Sequence, residues 1–137
     1  MRYTFWILLF FLISSCSENK EYEKPDDPLE AGREFIRFAL DGEMPKAKSF
    51  ILPDGVNERI FDNIEKKYAA ESKEEKNNYK NASIIINKMR SINDSTAIIN
   101  YSNSFKKEDS EIKLIKLKGE WWVDFKYTFT RDSAIGE

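Results

Sequence analysis

Trp121-Trp122-Val123-Asp124-Phe125-Lys126-Tyr127-Thr128-Phe129 is the stretch on which the reading of the fold turns. Its odd positions are all apolar or aromatic, while Asp124, Lys126 and Thr128 stand at even ones. A two-residue period is that of a strand with one buried face. The alternation predicts a strand over the whole run, with Trp121 in the core and Trp122 on the other face beside Asp124 and Lys126. Lys118-Gly119 ahead of it is a tight turn, and Glu111 to Leu117 is the preceding strand. Either Ile112 and Leu114 or Ile115 and Leu117 face inward there. Further upstream, Ala97, Ile99 and Tyr101 alternate with more polar neighbours, and the β-branched run Ser83 to Met89 precedes the turn signal Asn93-Asp94. Four strands joined by polar turns make an antiparallel meander.

Before Ala82 the period is helical. Asp27-Pro28-Leu29-Glu30 combines a capping residue, a proline suited to the first helical position and an acid placed for a capping box. Leu29, Gly32, Phe35, Ile36, Ala39 and Leu40 then share one face, and Asp41-Gly42 ends the helix. Pro45 to Ile51 reads as a short second helix closed by Pro53-Asp54-Gly55. Val56 to Ala70 reads as a third, with Val56, Ile60, Phe61, Ile64 and Tyr68 along one side. Glu71 to Lys80 is so charged that helix and loop stay equally open. Helices first and a meander afterwards predict an α+β domain with helices packed on one sheet face. The predicted domain spans 28–130, with a flexible tail at 131–137.

Composition excludes several functions. The chain is 41% hydrophobic and 34% charged with a net charge of −2, and its charges are interspersed rather than gathered in a basic stripe, so nucleic-acid binding has no electrostatic support. Histidine is absent. That removes the commonest general base and metal ligand, and with them Ser-His and Cys-His nucleophile pairs. The acidic pairs Asp26-Asp27 and Glu74-Glu75 lack the alternating oxygen ligands and glycine of a calcium loop. No metal and no cofactor is expected.

At the N-terminus, Met1-Arg2 precedes an uncharged apolar run from Tyr3 to Ile13, followed by Ser14-Ser15-Cys16. A positive residue, about ten apolar residues and small residues at a cleavage point describe a secretory signal peptide. The run is too short to span roughly 30 Å of hydrocarbon as a helix. Ile13-Ser14-Ser15-Cys16 resembles the lipobox of bacterial lipoproteins. The resemblance implies cleavage after residue 15, acylation of Cys16 and attachment to a cell-envelope membrane. Cys16 is the single cysteine, and lipidation accounts for an otherwise unpaired thiol in an exported protein. Ser17 in place of Asp after the cysteine points to the outer membrane by the sorting rule of enteric lipoproteins. Ser17 to Asp27 (SENKEYEKPDD) is nearly free of apolar residues and reads as a disordered tether, so residues 16–27 are expected to carry the lipid and the spacer.

Phe35-Ile36-Arg37-Phe38-Ala39-Leu40 with Asp41-Gly42-Glu43, then Lys46-Ala47-Lys48, and finally Lys118-Gly119-Glu120-Trp121-Trp122-Val123-Asp124 carry a second likeness. They resemble small bacterial lipoproteins of the nuclear transport factor 2-like fold, which share an aromatic-aliphatic helix ending in Gly-Asp, an Ala-Lys helix and a closing Gly-x-Trp-x-Val-Asp strand. Here the first turn reads Asp-Gly-Glu instead. The resemblance implies a curved sheet wrapped by helices into a cone that often encloses a pocket. It implies no particular activity.

Isomerases and dehydratases of that fold place carboxylates and tyrosines inside the cone, where burial moves their pKa values. Tyr68, Tyr101, Asp124 and Tyr127 are the corresponding candidate pocket residues, and none is assigned a catalytic role. Trp122, on the outer strand face, is the candidate partner contact. The function expected is a membrane-anchored binding domain for a small apolar ligand or an envelope protein. A pocket enzyme using a Tyr/Asp pair is the alternative.

Overall fold

A computed structural model describes residues 22–135, with the side chains of 131–135 excepted. The signal segment, Cys16 and residues 17–21 lie outside the described residues. Four helices come first: α1 (Pro28–Asp41), α2 (Met44–Lys48), α3 (Gly55–Ala70) and α4 (Lys73–Asn81). Four strands follow, β1 (Ile84–Asn93), β2 (Thr96–Asn103), β3 (Ser110–Leu117) and β4 (Glu120–Asp124), and the chain closes with α5 (Lys126–Ile135). The strands form one antiparallel sheet in the order β1-β2-β3-β4, so the domain is α+β.

Helix α1 starts where its signals place it. The Asp27 carboxylate accepts hydrogen bonds from the backbone N–H of Leu29 (2.9 Å) and Glu30 (3.0 Å). At the other end Gly42 takes the left-handed conformation (φ 77°), which lets its own N–H and that of Glu43 reach back to Ala39 and Phe38. Its buried face is Ala31, Gly32, Phe35, Ile36 and Leu40, and it packs across all four strands. Gly32 is there for closeness. A Cβ built on it would lie 2.5 Å from Ile99 Cδ1.

The sheet's inner face carries the alternating residues expected of it. Ala97 pairs with Leu114, which pairs with Val123, and Ile99 pairs with Ile112. All five are almost wholly buried. Together with Phe35, Phe50, Phe61, Trp121 and Phe125, Ile99, Ile112, Leu114 and Val123 fill the space between helices and sheet. Each large side chain removed from water there contributes about 1.5–3 kcal/mol. A bulge between Ile86 and Lys88 shifts the phase of β1, so that Met89 as well as Ile84 and Ile86 packs on the core. The free edge of β4 is covered: Val123 donates to the Phe50 carbonyl (2.7 Å) and Leu52 donates to that of Val123 (3.0 Å).

Three expectations are corrected. The strand beginning at Trp121 stops at Asp124, and Tyr127 and Phe129 lie on α5. The run that alternates as a strand also places Phe125 and Phe129 four apart, which suits a helix turn. Tertiary contacts select the helix. The Lys126 N–H is taken by the Asn57 side chain (2.9 Å), Thr128 Oγ1 donates to the Glu111 carbonyl (2.6 Å), and the Phe125 ring meets Phe35 edge-on at 5.8 Å. The expected tail is correspondingly helical as far as Ile135. Finally, Tyr22 to Asp27 is not a free spacer, because it lies along the domain as a strap. The Tyr22 ring contacts Phe38 and Phe50 (5.7 and 6.0 Å), Lys24 Nζ sits 3.1 Å above the Trp122 ring, and the Trp121 indole N–H donates to the Asp26 carbonyl (2.7 Å).

Candidate functional site

The four candidate pocket residues are not brought together. Tyr101 stands on β2 opposite Ser110 and packs against the core. Burial raises its hydroxyl pKa, and a hydrogen bond with Ser110 opposes the shift. Tyr127, on α5, donates to Glu111 Oε2 (3.1 Å), which also faces Arg90 at 4.0 Å. Asp124 accepts from Asn57 Nδ2 (3.1 Å) and lies 4.0 Å from Lys126 Nζ. Its expected partners, the tyrosines, are not among these contacts. Tyr68 is on α3, packed beside the core and against Gly42. An acid-base pair needs two such groups within hydrogen-bond reach of one substrate atom. Here the polar tips of Tyr101, Asp124 and Tyr127 are engaged in holding the fold.

Asn57 is the residue that organises the Asp124 region. It is fully buried, donates through Nδ2 to Asp54 (2.8 Å) and Asp124 (3.1 Å), and accepts the Lys126 N–H through Oδ1. Asp54 caps α3 by accepting from the N–H groups of Val56 and Asn57, and its second oxygen lies 3.4 Å from Lys126 Nζ. The Asn57 backbone and side-chain bonds, with Lys126, hold the Asp54 carboxyl below its ordinary pKa. The signal for Asn57 was present in the sequence: with Phe61, Ile64 and Tyr68 it falls on one helical face, a polar residue in an apolar stripe.

An apolar cleft lies elsewhere, among α1, α3 and α4. It has a volume of about 280 Å³, and Ala39, Leu40, Met44, Ile64, Tyr68 and Tyr79 form its walls, with Lys67 and Glu71 at the rim. On the far side of Tyr68 a wider, open depression is bordered by Asp41, Lys73, Lys76 and Lys80. Of the expected pocket residues, only Tyr68 lines either opening.

Helix α4 closes the cleft although it buries none of its residues. Ser72 caps it by accepting from Glu75 N–H (3.1 Å), with Glu74 and Glu75 in its first turn complementing the helix dipole. The Arg37 guanidinium collects the carbonyls at its end, those of Lys80 at 3.0 Å and Ala82 at 2.8 Å. The Tyr79 ring stacks edge-on against Phe105 at 5.1 Å, and Lys106 bonds Glu75 at 2.9 Å. Burial raises the Tyr79 hydroxyl pKa, with Lys106 opposing and Glu75 adding to the rise. Tyr79 was missed in sequence because it is the lone aromatic of a charged run.

Trp122 is half-buried rather than open, since Lys24 covers one face of its ring. That ammonium has no hydrogen-bond partner among the described residues, and desolvation lowers its pKa against the pull of Glu120. Among the described residues no three acidic or cysteine groups converge to hold a metal ion, and no helix is long and apolar enough to cross a membrane. Comparison with protein families, with curated proteins and with solved structures finds no match to this chain.

Proposed function

We propose that this chain is a membrane-anchored envelope lipoprotein, held by lipid on Cys16, whose nuclear transport factor 2-like domain binds a small apolar ligand without transforming it. The observation that carries the binding reading is the cleft among α1, α3 and α4, walled by Leu40, Met44, Ile64 and two tyrosines. It sits beside a core already filled with Phe35, Phe50 and Phe61, so the space between helices and sheet is not where a ligand enters. At about 280 Å³ it lies near the lower bound of roughly 300 Å³ for small-molecule sites, which suits a single ring or a short chain. The dispersed Tyr101, Asp124 and Tyr127 support binding over acid-base catalysis. The lipid anchor rests on Ile13-Ser14-Ser15-Cys16, and the fold-family assignment on the α1 and β3–β4 motifs.

Native mass spectrometry of protein released gently from the cell envelope tests the reading. A non-covalent mass that leaves on denaturation is expected, and Ile64→Trp, which fills the cleft, should abolish it. A bare protein in every preparation would remove the ligand, and retention of the extra mass by Ile64→Trp would move it to another place.

A further inference from the structure

We propose that the domain rests on the lipid bilayer through the tip of the β3–β4 hairpin and the strap beside it, with Leu117, Pro53, Trp122 and Tyr22 as the contact surface. The proposal rests on the lipid-anchor reading above and adds an orientation to it.

Two observations carry it. The first is its chemistry. Pro53, Leu117 and Trp122, with Lys118 and Glu120, surround an open hollow of about 300 Å³. Leu117 is 46% exposed at the hairpin tip, Tyr22 is 46% exposed on the strap, and Val56 next to the Pro53 turn is 43% exposed. Pro53, Leu117 and Trp122 bring apolar surface together at one place, and such a patch marks contact with a partner or a membrane. Amphipathic Trp and Tyr rings suit the headgroup level of a bilayer, and the Lys118 side chain at the turn is placed to keep its ammonium in water. Lys118 turns the hairpin with φ 49° beside Leu117.

The second observation is where the chain goes. Tyr22 and Lys24 are docked on Phe38, Phe50 and Trp122, so the spacer to the lipid begins at Tyr22 and not at Asp27. Six residue steps separate Cys16 from Tyr22, which at 3.3–3.6 Å per step is a reach of about 20 Å. A spacer running freely to Asp27 would reach roughly 35–40 Å. The short leash keeps the strap face turned toward the membrane that holds Cys16. The exposed Ile85 and Ile92 belong to β1, the opposite edge of the sheet from β4, and stay in water.

Leu117→Cys and Ile85→Cys each supply a free thiol, since Cys16 is consumed by acylation, and both positions are exposed enough to accept a fluorophore. The full-length acylated proteins, labelled with nitrobenzoxadiazole, are reconstituted into phosphatidylcholine vesicles and challenged with dithionite from the aqueous side. The expected result is a several-fold slower quenching and a blue-shifted emission at position 117, with position 85 quenched as fast as in unfolded protein. Equal quenching at the two positions, in protein that floats with the vesicles, overturns the docking face and leaves the anchor standing. Protein that does not float overturns the anchor and the proposal together. Protection at 117 that appears without vesicles and grows with protein concentration assigns the face to a second copy of the chain, and overturns the bilayer as its occupant.

Discussion

Replacing Asn57 by leucine, which has the same number of side-chain heavy atoms and the same branching, removes the contacts that end β4 and start α5. Three side-chain hydrogen bonds disappear: those to Asp54 (2.8 Å) and Asp124 (3.1 Å), and the one accepted from the Lys126 N–H (2.9 Å). Each is worth about 1 kcal/mol net, and a buried donor left without an acceptor costs in the range of about 1–3 kcal/mol. The sum is roughly 4–6 kcal/mol, a large share of the 5–15 kcal/mol that holds an ordinary domain. Urea unfolding followed by tryptophan fluorescence measures it, and hydrogen exchange locates it. Amides of Lys126 to Thr130 should exchange faster than those of α1. A loss below about 1 kcal/mol, with α5 as protected as before, would refute the reasoning about this node. Asn57→Asp sharpens the test. The new carboxylate keeps an acceptor for Lys126 but faces Asp54 and Asp124, so its folded pKa rises above its unfolded value. Its stability deficit against the parent protein should therefore be largest at neutral pH and shrink as the pH falls and the group protonates.

Three further outcomes follow from other parts of the fold. Gly42→Ala forces a side chain into the left-handed conformation and into the Tyr68 hydroxyl; it should cost more than the ~1 kcal/mol typical of Gly/Ala exchange, read by chemical denaturation, and an effect near zero would contradict the close approach. Arg37→Met strips the bonds from the carbonyls of Lys80 and Ala82, and should speed hydrogen exchange across α4 while leaving β2 and β3 unchanged. Unaltered protection of α4 would show that its charged contacts alone suffice. Burial raises the Tyr101 hydroxyl above its ordinary 10.0, so the neutral form supports the folded state below that value and the contribution is lost as the pH climbs through the folded pKa. Tyr101→Phe should move alkaline unfolding to higher pH, whereas an unchanged midpoint would mean that this hydroxyl does not drive it.

What the sequence made legible was what local periodicity encodes. The alternation in Trp121, Trp122 and Val123 placed Trp121 in the core and Trp122 outside, and the capping signals of Asp27 and Gly42 marked both ends of α1. The same alternation failed after Asp124. Phe125 and Phe129 satisfy either period, and the arbiter, Asn57, lies 69 positions from Lys126. Helix α4 could not be told from a loop, because it buries nothing and is held by Arg37 and Lys106 from distant elements. The strap was read as a spacer for its charge, yet Tyr22, Lys24 and the Asp26 carbonyl all meet aromatic rings that only the folded chain assembles. Tyrosines could be counted as pocket candidates, but their hydroxyl partners, Ser110 and Glu111, are set by sheet register and helix docking.

The measurement that bears most directly on the account is the mass of the N-terminal peptide of the protein extracted from cell membranes, compared with Cys16→Ala. The account predicts a peptide that begins at Cys16 and carries diacylglycerol and an amide-linked acyl chain, with the variant lost from the membrane fraction. An unacylated peptide, or a Cys16→Ala protein that stays with the membrane, would contradict it.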